Sequence, residues 1–224
     1  MAEKCYAIIV AGGTGSRFGG EIPKQFCLIN DKPVLWYSVK PFLALTFPVE
    51  IIIVLPAQYT EYWQEQCLTK GINFSHKVVA GGITRFHSVK NALRYVEEDG
   101  VVAVHDGVRP LITVPFLEYL YGMAEEKGAV IPVVLPSDSL RRVENSSSRR
   151  VDRSNYRMVQ TPQLFSSRIL LDAYEQAYLT DFTDDATVVQ YAGNEIFLAE
   201  GLTRNIKITC KEDLEIAERV ISAS

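Results

Sequence analysis

Short β-branched runs alternate along this chain with longer stretches of helical period, and no other feature constrains the fold as much. Apolar runs too short for a helix and bounded by turn residues read as buried strands. When helices separate them, the strands are joined by crossovers and build a mainly parallel sheet covered on both faces. The pattern predicts strands over 5–10, 50–55, 77–79, 101–105, 129–134, 195–199 and 206–209. It predicts helices over 34–45, 59–70, 85–97, 115–127, 167–178 and 211–221, the last capped by Thr209. The expected class is therefore α/β, a Rossmann-like, mostly parallel twisted sheet with helices on both faces.

Composition agrees with a folded core, since 47% of the 224 residues are hydrophobic and 22% charged. A chain of this size buries roughly 70% of its unfolded surface, which suits one domain with an appendage better than two equal domains. The expectation is a single domain over 1–224. A net charge of −4 gives no electrostatic footprint for a nucleic-acid backbone. The longest unbroken aliphatic run, 51–55, falls far short of the roughly 20 apolar residues that span a bilayer. The apolar stretch 6–11 runs straight into Gly12-Gly13 and lacks the length and cleavage site of a signal peptide. No nucleic-acid or membrane partner is expected, and the location implied is the cytoplasm. Cys5, Cys27, Cys67 and Cys210 form no Cys-x-x-Cys pair, and His76, His87 and His105 have no metal-ligand spacing, so neither a disulfide framework nor a zinc site is indicated.

One segment breaks the rhythm. From Ser137 to Gln160 there is no strong apolar period, and 141–157 holds six arginines against Glu144 and Asp152. This local charge of +4 leaves −8 on the remainder, so the basic character belongs to an arm or excursion with Asn145-Ser146-Ser147-Ser148 as its turn tip. A solvated surface hairpin would account for Arg141, Arg142, Arg149 and Arg150.

The first strand ends in Ala11-Gly12-Gly13-Thr14-Gly15-Ser16-Arg17-Phe18-Gly19. Here backbone N–H groups can approach an anion with no Cβ in the way, which suits a phosphate. Phe18 stands where the dinucleotide fingerprint needs a small residue, and Glu21 stands where a Walker A loop needs its lysine. Arg17 within the turn and Lys24 in Pro23-Lys24-Gln25 supply two cations beside it, a combination fitted to polyphosphate. A purely structural turn with ordinary surface cations is the alternative.

Ala11-Gly12-Gly13-x-Gly15-x-Arg17-Phe18 followed by Pro23-Lys24-Gln25-Phe26 resembles the signature of sugar-phosphate nucleotidyltransferases, and within them the cytidylyltransferase branch. The likeness continues in order through Gly81-Gly82-x-x-Arg85-x-x-Ser88-Val89, Val104-His105-Asp106-x-x-Arg109-Pro110, Val151-Asp152-Arg153, Gln160-Thr161-Pro162-Gln163, Thr183-Asp184-Asp185-Ala186 and Asn205-Ile206-Lys207-Ile208-Thr209. Single motifs of this kind are weak, but seven in one order over nearly the whole chain are a strong signal.

The resemblance implies transfer of CMP from CTP to 2-C-methyl-D-erythritol 4-phosphate, with Mg²⁺ held mainly by the CTP phosphates. Ala11, Gly12 and Gly13 would line the nucleotide site, while Gly82, Ser88 and Gly107 would hold base and ribose. Arg17 and Lys24 would stabilise the pentacoordinate α-phosphorus and the leaving pyrophosphate. Lys207 and Arg153 would hold the acceptor phosphate for in-line attack, Thr161 and Thr183 would donate hydroxyl hydrogen bonds to it, and Arg109 would help bind the acceptor. The plainer alternatives are a turn at Thr161-Pro162, a helix cap at Thr183-Asp184 and a strand-edge lysine at Lys207. Asp106, at the end of a strand, would contact a substrate hydroxyl or approach Mg²⁺; such an Asp is about as often a helix cap. The family likeness also makes 137–156 a hairpin that swaps across a two-fold homodimer, so that Arg153 and Ser139 act in the partner's site.

Two departures stand out. Ser139 replaces the usual threonine and keeps the hydroxyl, whereas Ile83 replaces a frequent acidic residue and cannot accept a hydrogen bond through its side chain, which predicts weaker nucleotide binding. Three other readings remain: a pentitol-phosphate cytidylyltransferase acting on ribitol 5-phosphate, a nucleotide-binding module without catalysis, and a nicotinamide-dependent oxidoreductase. The second is opposed by the presence of all four cations. The third is opposed by the missing third small residue of the turn.

Overall fold

In a computed structural model that describes residues 4–13 and 22–223, the apolar runs form the centre of one mixed sheet. The remainder of the glycine turn, including Gly15, Arg17 and Phe18, lies outside the described residues. In chain order the elements are β1 (Cys5–Val10), β2 (Leu28–Ile29), β3 (Lys32–Pro33), α1 (Val34–Leu43), β4 (Glu50–Leu55), α2 (Thr60–Thr69), β5 (Lys77–Ala80), α3 (Arg85–Leu93), β6 (Val101–Asp106) and α4 (Val114–Lys127). They continue with β7 (Ala129–Val134), β8 (Arg141–Glu144), β9 (Ser147–Arg150), β10 (Met158–Val159), β11 (Gln163–Ser166), α5 (Ser167–Ala173), α6 (Asp185–Tyr191), β12 (Phe197–Glu200) and α7 (Lys211–Ser222).

The sheet order is β10-β7-β11-β6-β1-β4-β5, with β12 on β7. β1 pairs in parallel with both β4 and β6, and β4 pairs in parallel with β5. β11 runs antiparallel between β6 and β7. Alternate residues of each central strand feed two cores, as a period-2 strand buried on both faces must. Ala7, Ile9, Ile51, Ile53 and Ala103 pack against α1, α2 and α4. Tyr6, Ile8, Ile52, Val54, Val102 and Val104 face α3, α5 and α6. The observed class is the expected α/β sheet with helices on both faces.

β1 leads to β4 on one side and is flanked by β6 on the other, so the strand order reverses at the carboxyl ends of β1 and β6. Open α/β sheets bind ligands in the crevice at such a point.

The structure corrects several expectations. Residues 206–209 are not a strand: Ile206 and Ile208 alternate as strand residues do, but the segment is a strap whose backbone reaches the core by Ile208 N–H donating to the Val108 carbonyl at 2.9 Å. Thr209 does not cap α7. The cap is Cys210, and the Asp213 carboxylate accepts from the Thr209 and Cys210 N–H groups and from the Thr209 hydroxyl. β11 lies outside the expected strands, and α6 follows Asp184, a residue whose motif also suits a helix cap, without an expected helical period. α3 and α5 end at Leu93 and Ala173, short of 97 and 178.

β8 and β9 form a hairpin with every residue exposed and Asn145 at φ 52° in its two-residue turn, a conformation that asparagine tolerates. Glu144 pairs with Arg142 at 2.8 Å and Arg149 at 3.0 Å, contacts that in full solvent add little stability. Among the described residues no helix is long and apolar enough to cross a membrane.

Candidate active site

The carboxyl ends of β1, β4, β5 and β6 bring three glycine-bearing turns together. Ala11 N–H donates to the Val54 carbonyl at 2.9 Å, Gly81 N–H to Leu55 at 2.7 Å and Gly107 N–H to Val10 at 2.9 Å, so each turn leaves its strand in a fixed direction. Gln25, 1% exposed, clamps the first turn from behind, its Nε2 donating to the carbonyls of Ala11 at 2.9 Å and Gly13 at 3.2 Å. Lys24 is placed by the single 3₁₀ turn that follows Pro23, and its Nζ donates to the Ile208 carbonyl at 2.8 Å.

Gly82 and Ser88 form a second wall. The Ser88 hydroxyl accepts from Gly82 N–H at 3.1 Å and donates to the Thr84 carbonyl at 2.9 Å, which ties the Gly81-Gly82 turn to the first turn of α3. A Cβ at Gly82 would collide with the Cβ and backbone of His87, so only glycine fits there. A Cβ at Gly12 would stand 3.6 Å from the Ser88 hydroxyl, which shows how closely the first two turns approach. Ile83 is 96% exposed, and its side chain offers this wall no hydrogen bond.

Asp106, 7% exposed, is the centre of charge. Its carboxylate lies 2.9 Å from Lys207 Nζ, 3.3 Å from Arg109 Nε and 4.0 Å from Arg85 Nη2. Burial opposes its ionisation, but Arg85, Lys207 and Arg109 together hold the carboxyl well below the usual carboxylate range. Arg85 continues the network to Asp185 at 2.6 Å, whose carboxylate is fully buried and also accepts from the Tyr174 hydroxyl at 2.6 Å. Arg109 Nη1 donates to the Asn205 carbonyl at 2.8 Å, and Asn205 Nδ2 to the Thr161 carbonyl at 2.8 Å. The strap that carries Lys207 is thereby fastened to the end of β6.

Thr161 lies where one antiparallel strand is broken into β10 and β11. β7 pairs Val133 with Val159 but Val130 with Leu164, so two extra residues bulge out at Gln160–Pro162, where the Thr161–Pro162 peptide is cis. The Thr161 hydroxyl accepts from Asp106 N–H at 3.0 Å and donates to His105 Nδ1 at 3.1 Å, while His105 Nε2–H donates to the Arg109 carbonyl at 3.2 Å. Burial lowers the His105 pKa to about 4, so the ring is neutral and its two nitrogens keep these opposite roles. A histidine buried neutral stabilises the fold above the unfolded-state pKa, and that contribution is lost as pH falls through the folded one. Stability should be flat just above pH 6.5 and fall by about 2 kcal/mol on going to pH 5. Urea denaturation at the two pH values checks this, and an unchanged slope in His105→Asn would remove the assignment.

The edge is cationic: Lys207, Arg109 and Arg85 stand around one carboxylate, and Lys24 is anchored on the Ile208 carbonyl, beside glycine turns with open backbone. A family model described as 2-C-methyl-D-erythritol 4-phosphate cytidylyltransferase matches residues 5–223. The chain belongs to that family. A relative of that name from Phocaeicola vulgatus is 45% identical over 216 residues, covering 96% of this chain and 99% of the relative. The crystal structure of the Francisella tularensis protein of that name has a TM-score of 0.78 at 29% identity, over 96% of this chain and 99% of the other. A 4-diphosphocytidyl-2C-methyl-D-erythritol synthase structure from Anaerococcus prevotii gives 0.81 at 22% identity, covering 98% of each, and shares the fold.

Members of the 2-C-methyl-D-erythritol 4-phosphate cytidylyltransferase family are nucleotidyltransferases. Of the residues singled out from the sequence, the structure brings Ala11, Gly12, Gly13, Lys24, Gly82, Ser88, Asp106, Gly107, Arg109, Thr161 and Lys207 to one sheet edge. Arg17 lies outside the described residues. Thr183 is exposed in the turn before α6, where Asp184 caps the helix through Thr187 N–H at 2.9 Å. Ser139 and Arg153 are exposed in the arm segment, and the Arg153 guanidinium donates to the Ser137 carbonyl. Gln25, Arg85, Gln160, Gln163, Asp185 and Asn205 received no role from the sequence although each stood inside a quoted motif; the signal was a buried polar residue with a fixed partner, which only contacts reveal.

Proposed function

We propose that this chain transfers CMP from CTP to 2-C-methyl-D-erythritol 4-phosphate, giving 4-diphosphocytidyl-2-C-methyl-D-erythritol and pyrophosphate, a step of non-mevalonate isoprenoid synthesis in the cytoplasm. The observation that carries the reading is the convergence of two lysines at one strap: Lys24, from the turn after Pro23, is fixed on the Ile208 carbonyl, and the neighbouring strap residue Lys207 is paired with Asp106.

An oxygen of the acceptor phosphate attacks the α-phosphorus of CTP, a new P–O bond forms, and the bond to the β-phosphate breaks, with pyrophosphate leaving on the opposite side. The attacking phosphate is already an anion at neutral pH, so no general base is needed and the protein's task is positioning and charge stabilisation. Lys24 and Arg17 neutralise the five-coordinate phosphorus and the departing diphosphate. Lys207, with Arg153, aligns the acceptor phosphate; Asp106 and Arg109 bind the polyol. Among the described residues no three acids, histidines or cysteines converge as a metal site. Mg²⁺ would be held mainly by the triphosphate oxygens and would supply further charge neutralisation.

Pyrophosphate release should require CTP over UTP, ATP and GTP and methylerythritol phosphate over ribitol 5-phosphate, and should vanish in Lys24→Ala. Turnover with ribitol 5-phosphate alone would move the chain to the pentitol branch, and silence with every pair would leave a binding module.

The arm supports a homodimer in which Arg153 and Ser139 serve the partner's site. Leu135, Val143, Tyr156 and Met158 are 62%, 71%, 47% and 48% exposed, an apolar concentration that a partner would cover. Replacing 140–151 by a short Gly-Ser turn should give a monomer in sedimentation with activity reduced to background. A fully active monomer would overturn both the dimer and the shared site.

A further inference from the structure

Behind the active edge, between α1, α7 and the loop that enters α4, lies a groove of about 490 Å³. Its floor is apolar, with Pro41, Leu111 and Ile112 on one side and Val220 and Ile221 on the other. Lys40 and Arg204 also line it, both exposed, and among the described residues neither side chain has an ion-pair or hydrogen-bond partner. Among the described residues no acid lines the groove. The first turn of α4 opens into it at Thr113, Val114 and Pro115; Thr113 makes no capping hydrogen bond, and no acid stands in that turn. The positive end of a fourteen-residue helix and two unpaired cations thus border an apolar cleft of ordinary ligand size.

We propose that this groove is a second ligand site, which takes an amphiphilic anion. A phosphate or carboxylate head would sit against Lys40, Arg204 and the Val114 N–H at the start of α4, and an apolar chain of about eight carbons would lie on Leu111 and Ile112. An apolar ligand alone would leave two cations unused, and a bare anion would leave the floor in water. Charge complementarity and burial together select the amphiphile.

The groove is joined to the active edge by covalent neighbours. Pro110 follows Arg109, and Arg204 precedes Asn205, whose carbonyl accepts from Arg109 Nη1 at 2.8 Å. Drawing Arg204 towards an anion therefore pulls on the strap that holds Arg109, and occupancy changes the KM for the polyol phosphate.

Calorimetric titration of the full chain with ethyl, butyl, hexyl and octyl phosphate, below their micellar concentrations, tests this. Affinity should rise roughly two- to fourfold per methylene, remain when CTP and the polyol phosphate are saturating, and be weak for inorganic phosphate and for octanol. It should fall at least tenfold in Lys40→Ala/Arg204→Ala, and also in Ala44→Trp, which fills the groove while keeping both cations in the chain. Binding that is equal for inorganic and octyl phosphate, unchanged in both variants, or abolished by CTP would overturn the site. A polyol-phosphate KM unmoved by saturating octyl phosphate would overturn the coupling. The heat of binding is read without turnover, so failure here is distinct from failure of the cytidylyl-transfer reading.

Discussion

Lys207→Ala should lower kcat/KM for the acceptor phosphate by roughly 10²–10³-fold at neutral pH, the usual effect of removing one charge that meets a developing or bound anion. On the proposed reading, in which Lys207 holds the acceptor phosphate and Lys24 the triphosphate, the loss should fall mainly on the acceptor's KM; Lys207 is paired with Asp106 and Lys24 with the Ile208 carbonyl. The Lys207 side chain is 44% exposed, so its removal should disturb folding little at neutral pH. The effect in acid differs. Asp106 is ionised against burial by Arg85, Lys207 and Arg109, and its depressed pKa stabilises the fold above the unfolded carboxylate pKa, a contribution lost as pH falls through the folded value. Without Lys207 the folded value rises, so acid unfolding should begin at a higher pH. Lys207→Arg, which keeps the charge, should recover part of kcat/KM and all of the acid tolerance. Steady-state kinetics with each substrate varied in turn decide the matter: an acceptor kcat/KM within threefold of the parent would remove Lys207 from the site.

How much of this was legible in the sequence follows from where burial comes from. β1, β4 and β7 matched to the residue because their own side chains fill both faces of the sheet, which writes an unbroken apolar run into the chain. β11 begins with Gln163 after a proline and is four residues long; its strand character comes from β6 and β7 on either side. α6 was hidden by Thr187, Val188 and Val189, β-branched residues of low helix propensity. Its start is fixed by Asp184 and by Gln163, whose Oε1 accepts from Ala186 N–H at 2.9 Å. The strap failed in the opposite way, since Ile206 and Ile208 alternate into a small separate core with Ile29 and Val34 without any ladder. The site shows the same division. Cations and glycines announce themselves by type, whereas Gln25, Asn205 and Asp185 act through partners far away in the chain.

Arg85→Gln should be the most damaging single change at the site, in both stability and rate. Asp185 is fully buried, and its ion pair with Arg85 is supplemented only by the Tyr174 hydroxyl among the described side chains; one carboxylate oxygen has no hydrogen-bond partner. Removing Arg85 leaves that charge uncompensated, which costs about 3–5 kcal/mol, or roughly 10 °C or more in Tm for a chain of this length. The rate should fall for a separate reason. Arg85 Nη2 is buried, lies 4.0 Å from Asp106 and has no hydrogen bond, so its charge steadies the Asp106 carboxylate together with Lys207 and Arg109. The two effects separate in Arg85→Gln/Asp185→Asn. Neutralising both partners should restore most of the Tm, since neither charge is then buried alone, yet kcat/KM should stay low because Asp106 still lacks its third cation. Arg85→Lys should fold and retain intermediate activity, as a point charge can reach one carboxylate but cannot bridge two with a planar fork. A double variant that recovers both Tm and kcat/KM would make Arg85 a structural residue only, and the charge on Asp106 would then be set by Lys207 and Arg109 alone.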